Sequence, residues 1–172
     1  MLRTRFAGEG NGFHEDVRRV SDLLQLIYKI ESGEVPQTLE DHTSSRNIGC
    51  VALTEESKTG PVLSTAAYYP YPPNSERIQN ELTGRIYSVA THPDYRRQGL
   101  GERTLAYLLE RAAGGGLHSI CLEVRESNRS AISLYRKLGF SKIGSALFIG
   151  LETHEHGLIM GKVFTYNQVE KS

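Results

Sequence analysis

Arg85-Ile86-Tyr87-Ser88-Val89-Ala90-Thr91-His92-Pro93-Asp94-Tyr95-Arg96-Arg97-Gln98-Gly99-Leu100-Gly101 is the stretch on which the reading of this chain turns. Its first six residues predict a strand, Pro93-Asp94-Tyr95 predicts its exit turn, and Gly101 opens a helix running to Ala113. Along that helix Leu105, Leu108, Leu109 and Ala112 recur at i, i+3, i+4 and i+7, the spacing of one apolar face. Gly114-Gly115-Gly116 ends it, because glycine tolerates the left-handed conformation found at helix C-termini. The first N–H groups of a helix have no internal partner, and the helix dipole makes that end positive. Gly99 and Gly101 let a bulky anion approach this backbone without meeting a Cβ, and Arg96 and Arg97 add forked donors. No Ser, Thr, Asp or Asn stands at the start of the helix to occupy those amides. The site calls for an anion, most simply a pyrophosphate.

Several loops bind phosphate this way. A nucleoside-triphosphate loop ends in Gly-Lys-Ser/Thr, and Gly101 is followed by Glu102-Arg103, which excludes it. A dinucleotide fingerprint asks for a third glycine where Thr104 stands and an apolar strand running straight into the first one. In its favour, Glu123 lies about where the ribose-binding acid would be. A plain glycine-rich turn with solvated arginines also fits these six residues.

Outward from this stretch, Ser119–Arg125 alternates Ile120, Leu122 and Val124 against Cys121 and Glu123, the pattern of a strand. Asn128–Leu138 predicts a second helix closed by Gly139 and Phe140. Residues 141–149 and 157–165 predict a final hairpin through Glu152-Thr153-His154-Glu155-His156. Towards the N-terminus, His14–Ile30 predicts an amphipathic helix with Val17, Val20, Leu24 and Ile27 inward and Glu15, Arg18 and Arg19 left for solvent. Residues 32–46 read as a loop. Strands at 47–54 and 61–69 form an antiparallel hairpin, and Tyr69-Pro70-Tyr71-Pro72-Pro73 stops the second of them. The loop continuing to about Leu82 is long, as loops bordering sites often are. A single domain over 1–172 with an α/β (α+β) mixed sheet and helices on its faces is the expected fold.

Composition narrows the function. With 20 basic and 20 acidic residues the formal charge is zero, which argues against a nucleic-acid-coating surface. No apolar run approaches the roughly 20 residues needed to cross a bilayer, and Met1-Leu2-Arg3-Thr4-Arg5-Phe6 carries no secretory pattern, so a cytoplasmic protein without a membrane partner is expected. Cys50 and Cys121 read as reduced core thiols. His154 and His156 have no third or fourth ligand nearby in sequence, so no metal is expected and they read as a polar hairpin tip. Tyr68, Tyr69 and Tyr71 either line an acceptor pocket or pack a strand end.

Val89 through Gly101 resembles the cofactor motif of the GNAT superfamily of N-acetyltransferases, Arg/Gln-x-x-Gly-x-Gly/Ala. Leu122-Glu123-Val124-Arg125-Glu126-Ser127-Asn128 and Ala131-Ile132-Ser133-Leu134-Tyr135-Arg136-Lys137-Leu138-Gly139-Phe140 resemble its ribosomal-protein-alanine N-acetyltransferase branch. The resemblance covers about residues 84–165; residues 1–83 share only the coarse order of elements. It implies a mostly antiparallel central sheet in which one parallel strand pair splays to admit acetyl-CoA. It also implies that Val89, Ala90 and Thr91 pair with the pantetheine arm and that one amide there faces the thioester oxygen. Arg96, Arg97, Gln98, Gly99, Leu100, Gly101 and Glu102 would hold the pyrophosphate, and Asn128 would hydrogen-bond the pantetheine. Glu102 is an unusual neighbour for a phosphate, tolerable if its side chain turns to solvent.

On residue patterns alone Glu123 is a solvated strand-end carboxylate and Tyr135 a member of the apolar stripe Ala131, Leu134, Tyr135, Leu138. The resemblance makes Glu123 the base, acting directly or through water, and Tyr135 the acid that protonates the departing thiolate. At pH 7 an α-amine of pKa about 7.7–8.0 is roughly 10–20% neutral, whereas a lysine is under about 0.1% neutral. One carboxylate therefore suits an α-amine, the N-terminus of a protein or peptide or else a small amine, on a monomer or homodimer. A non-catalytic acyl-CoA-binding module is the competing reading.

Overall fold

The computed structural model describes residues 2–7, 13–32, 50–57, 59–71, 82–149 and 154–165. Seven strands form one mixed sheet, β1 (Arg3–Phe6), β2 (Cys50–Glu55), β3 (Val62–Tyr71), β4 (Thr83–Thr91), β5 (Ser119–Arg125), β6 (Ser141–Ile149) and β7 (His154–Val163), in the order β1-β2-β3-β4-β5-β7-β6. The helices among the described residues are α1 (Phe13–Ser32), α2 (Leu100–Gly114) and α3 (Arg129–Lys137). Contacts divide the chain into two compact units, Met1–Tyr69 with Ser88–Leu109 and Pro70–Tyr87 with Glu110–Ser172.

In the first unit β1 and β3 flank β2, both antiparallel to it. Successive residues of a strand point to opposite faces, and β2 uses this at its end. Thr54 turns to α2, where its hydroxyl lies 2.6 Å from that of Thr104. Glu55 turns to α1, where Arg19 Nη2 donates to its Oε2 at 2.7 Å. The two helices therefore lie on opposite faces of β2, as the expected layers require. Val20, Leu23, Leu24 and Ile27 of α1 are buried, as are Leu105, Leu108 and Leu109 of α2.

Two features of this unit differ from the sequence reading. Arg19 is not left for solvent, since it pairs with Asp16 at 3.1 Å and Glu55 at 2.7 Å and donates to the Gly60 carbonyl. Arg3–Phe6, read only for a targeting pattern, is a strand. Its Arg5 is 2% exposed and is held by Asp16 and Glu55, both wholly buried. Arginine almost never goes fully inside unless it is paired, and this one tolerates burial because two carboxylates and a carbonyl satisfy its fork.

In the second unit β4 and β5 run parallel, and β5, β7 and β6 follow antiparallel. Ile120, Leu122 and Val124 are buried and Glu123 and Arg125 exposed, as the alternation predicts. A bulge between Lys142 and Gly144 gives β6 one residue more than β7 at that point, Ile143. His154 and His156 lie inside β7, opposite Ile149 and Leu147, and not at a hairpin tip. Among the described residues no group of three His, Cys, Asp or Glu is placed to hold a metal. Cys121 is a half-buried free thiol, not a core one.

β3 continues through Pro70 to Tyr71, two residues past the predicted stop. Pro70 is exposed at this end of the strand. Tyr68 is buried and packs the strand end. The loop readings at 33–46 and 72–81, strand residues 47–49 and the tip at 150–153 lie outside the described residues, as do the side chains of Val17, Cys50 and Tyr71. No helix among the described residues is long and apolar enough to cross a membrane.

Candidate active site

In the first unit the carboxyl end of β4 leads into the turn before α2. Ser64 of β3 donates its hydroxyl to the Ala90 carbonyl at 3.0 Å and lies 3.1 Å from the Thr91 hydroxyl, while His92 N–H donates to the Leu63 carbonyl at 2.8 Å. These bonds hold the backbone at Ala90 and His92, and Val89, Ala90 and Thr91 are all half-buried. Pro93–Tyr95 forms a 3-10 turn whose start is capped by the His92 ring accepting from Asp94 N–H at 3.3 Å. Arg96 then reaches back to the Thr91 carbonyl and Gln98 to that of Asp94.

Beyond this 3-10 turn the backbone enters the left-handed region twice, at Arg97 with φ 63° and at Gly99 with φ 77°. Left-handed residues set between right-handed or extended ones turn successive N–H groups towards one point and make an anion-binding concavity. For a non-glycine residue such a conformation costs on the order of 1 kcal/mol, and strain of that kind collects at functional sites. The first helical bond of α2 runs from Arg103 N–H to the Gly99 carbonyl at 2.9 Å, so the amides of Gly99, Leu100 and Gly101 lie ahead of the ladder. A Cβ built on Gly99 meets nothing within 4 Å, so open space lies beside these donors. Leu100 is buried below them, and its carbonyl accepts the Thr104 hydroxyl at 2.9 Å. Fixed donors, an open approach and exposed Arg96 and Arg97 fit a diphosphate.

Gly99→Ala tests this cradle. Alanine has room there but not the conformation, so the variant is expected to lose about 1 kcal/mol of stability and about tenfold or more in coenzyme A affinity. Calorimetric titration and a denaturation curve give the two values. Undiminished affinity would place the diphosphate elsewhere.

In the second unit the sequence candidates stand on β5 and α3. Glu123, about one-third exposed, receives a 2.8 Å contact from Arg85 Nη2 of β4. The sequence reading missed Arg85. A charged residue inside a β-prone run, two before Tyr87 on the same face, was the available signal. Between them stands Cys121, paired with Arg85 in the ladder. Burial pushes its thiol up, Arg85 opposes this and Glu123 adds to it.

Asn128 caps α3. Its side-chain oxygen accepts from Ala131 N–H at 3.1 Å and from the Ser130 hydroxyl at 3.2 Å, which leaves its carboxamide nitrogen as the donor end. The turn before it is tied to β7, where Glu155 accepts from Ser127 N–H at 3.1 Å and Arg125 at 2.9 Å. Those two contacts, that of Ser127 first, draw the Glu155 carboxyl below its usual range. Tyr135 is 7% exposed, with its ring 5.9 Å from that of Phe140, and burial pushes its phenol up to about 12. It is buried on α3 together with Ile132, whereas Ala131, Leu134 and Leu138, the other members of the predicted stripe, are only half-buried.

Comparison with known proteins agrees with this architecture. Residues 17–140 match the acetyltransferase (GNAT) family. The [ribosomal protein bS18]-alanine N-acetyltransferase of Escherichia coli is 44% identical over 57 residues, 33% of this chain and only 38% of that enzyme. The crystal structure of the E. coli ribosomal-protein alanine N-acetyltransferase superposes with a TM-score of 0.68 at 21% identity, over 94% of this chain and 92% of that one. The L-methionine sulfoximine/L-methionine sulfone acetyltransferase of Pseudomonas paraeruginosa is 32% identical over 102 residues, 59% of this chain and 57% of its own length. NAA60 of Arabidopsis thaliana, solved in complex with acetyl-CoA, gives a TM-score of 0.71 at 13% identity, over 95% of this chain and all of that one.

Proposed function

The chain belongs to the GNAT acetyltransferase family, and from that premise we propose that it transfers the acetyl group of acetyl-CoA directly to a primary amine, the α-amine of a protein or peptide above all. The observation that carries this reading is the left-handed Arg97–Gly99 turn with the leading amides of α2 open beside it, a cradle for the diphosphate of the acetyl donor. NAA60 binding acetyl-CoA and the E. coli relative acting on an alanine of a ribosomal protein support the donor and the acceptor class.

Bound acetyl-CoA supplies an activated acyl carbon. Arg96 through Glu102 hold its diphosphate, Val89, Ala90 and Thr91 align its arm along β4, and an amide among them offsets the charge that develops on the thioester oxygen. Asn128 donates to the arm. Glu123 takes a proton from the acceptor ammonium, directly or through water, so that the nitrogen lone pair can form the new C–N bond. Tyr135 gives a proton to the sulfur as the C–S bond breaks, and the second proton that the nitrogen sheds on becoming an amide returns to the phenolate, directly or through water.

A small-molecule amine is the second reading, favoured by the Pseudomonas relative, whose name specifies free amino-acid derivatives. Thiol release from acetyl-CoA over a panel of peptides and small amines decides between them. Glu123→Gln is expected to lower turnover about a hundredfold near pH 7. The loss should shrink towards pH 9, where an α-amine is already mostly neutral. Coenzyme A binding without thiol release from any acceptor would instead make the chain a non-catalytic binding module.

A further inference from the structure

Parallel pairing of β4 with β5 runs from Thr83 opposite Ser119 to Arg85 opposite Cys121. Arg85 stands at the last rung, and Glu123 two residues further along β5 reaches back across Cys121 to meet it at 2.8 Å. Both side chains are about one-third exposed, 35% and 36%. An ion pair so open to water adds little to folding and can be exchanged at little cost.

Resting on the reading of Glu123 as the group that meets the acceptor amine, we propose that Arg85 determines specificity, selecting acceptors that carry a carboxylate beside the amine. An ammonium that approaches Glu123 takes over the carboxylate from the Arg85 guanidinium. An acceptor without a carboxylate then takes this contact from Arg85 and offers it nothing in exchange. An acceptor bearing its own carboxylate offers Arg85 a replacement for the contact with Glu123 that it takes away, and sets charges of alternating sign along the group. Arginine's planar fork matches a carboxylate with two parallel hydrogen bonds. Two sources offer this chemistry, the α-carboxylate of a free amino acid and the side chain of an acidic second residue in a peptide.

Matched pairs of acceptors distinguish them. Thiol release is measured with Ala-Asp and Ala-Asn peptides, blocked at the C-terminus, and with a free amino acid and its amide. Wild-type protein is expected to favour the anionic member by about tenfold in kcat/KM in at least one pair, and that pair identifies the source. Arg85→Gln should bring the ratio to about one and Arg85→Lys should restore part of it, with thermal melting of both variants showing that the fold is kept. The wild-type preference should also shrink as salt rises. A wild-type ratio near one in both pairs, or a ratio that Arg85→Gln leaves in place, overturns the proposal while the acetyltransferase reading stands. Absence of thiol release from every acceptor overturns that reading and this proposal with it.

Discussion

Replacing Tyr135 by phenylalanine is expected to lower turnover about a hundredfold while leaving coenzyme A affinity as it is. A phenol in water, with a pKa of about 10, already sits about 1.5 units above a thiol near 8.5, and burial carries Tyr135 to about 12. Taken against a solvated thiolate, the transfer is then uphill by about 3.5 units, close to 5 kcal/mol. Burial acts on the leaving sulfur in the same sense, since a desolvated thiolate is a stronger base, so the gap at the moment of transfer is narrower. Single-turnover rates and calorimetry on the phenylalanine variant test the role. A rate within a factor of two of wild type would return Tyr135 to the core stripe that its periodicity describes.

The same side chain links stability to alkaline pH. The folded-state pKa lies above the unfolded one, so between about 10 and 12 the unfolded chain has lost a proton that the folded one keeps, and stability falls as pH rises. Two units correspond to about 2.7 kcal/mol in all, of which about 2.3 kcal/mol is lost by pH 12. Tyr135→Phe should flatten that limb of a denaturation series between pH 9 and 11.5. A limb as steep in the variant as in wild type would assign it to other groups.

Arg5→Met is expected to destabilise the fold by about 3–5 kcal/mol, a drop of about 10 °C in Tm or more. Asp16 and Glu55 are both wholly buried, and Arg5 donates to each, with Arg19 as a second cation on both. Methionine matches the length of the arginine stem but leaves two buried carboxylates sharing the single cation Arg19, and an uncompensated buried charge costs more than the pair was worth. Asp16 and then Glu55 hold the Arg5 guanidinium above even the usual arginine range, so this cation does not discharge under any mild condition. Chemical denaturation gives the value directly. A loss under about 1 kcal/mol would mean that water reaches the cluster.

How far each part was legible depends on how local its cause is. The α2 stripe and the β5 alternation are written in consecutive residues, and both are buried where the periodicity puts them. The turn ahead of α2 was also legible as a turn, because glycine positions and a missing cap residue are local facts. β1 was not. Arg3-Thr4-Arg5-Phe6 carries no apolar alternation, and Arg5 goes inside only because Asp16 and Glu55, 11 and 50 residues away, receive it. Arg19 was misplaced for the same reason, since helical spacing marks a position as outward but cannot see a carboxylate on a strand 36 residues later. Arg85 lies between these cases. Its strand was predicted, but its partner depends on β4 and β5 being parallel neighbours in one register.

The two margins of the sheet meet the danger of edge-to-edge aggregation by different means. β1 is only four residues long, and its outward Arg3 discourages a second chain from adding there. β6 is nine residues long and exposes Ile143 and Leu147, the makings of a sticky border. The extra residue at Ile143 interrupts the even rhythm of donors and acceptors that a foreign strand would need to match. Straightening that kink by deleting Ile143 would restore an uninterrupted template and turn a guarded border into a fibre-prone one.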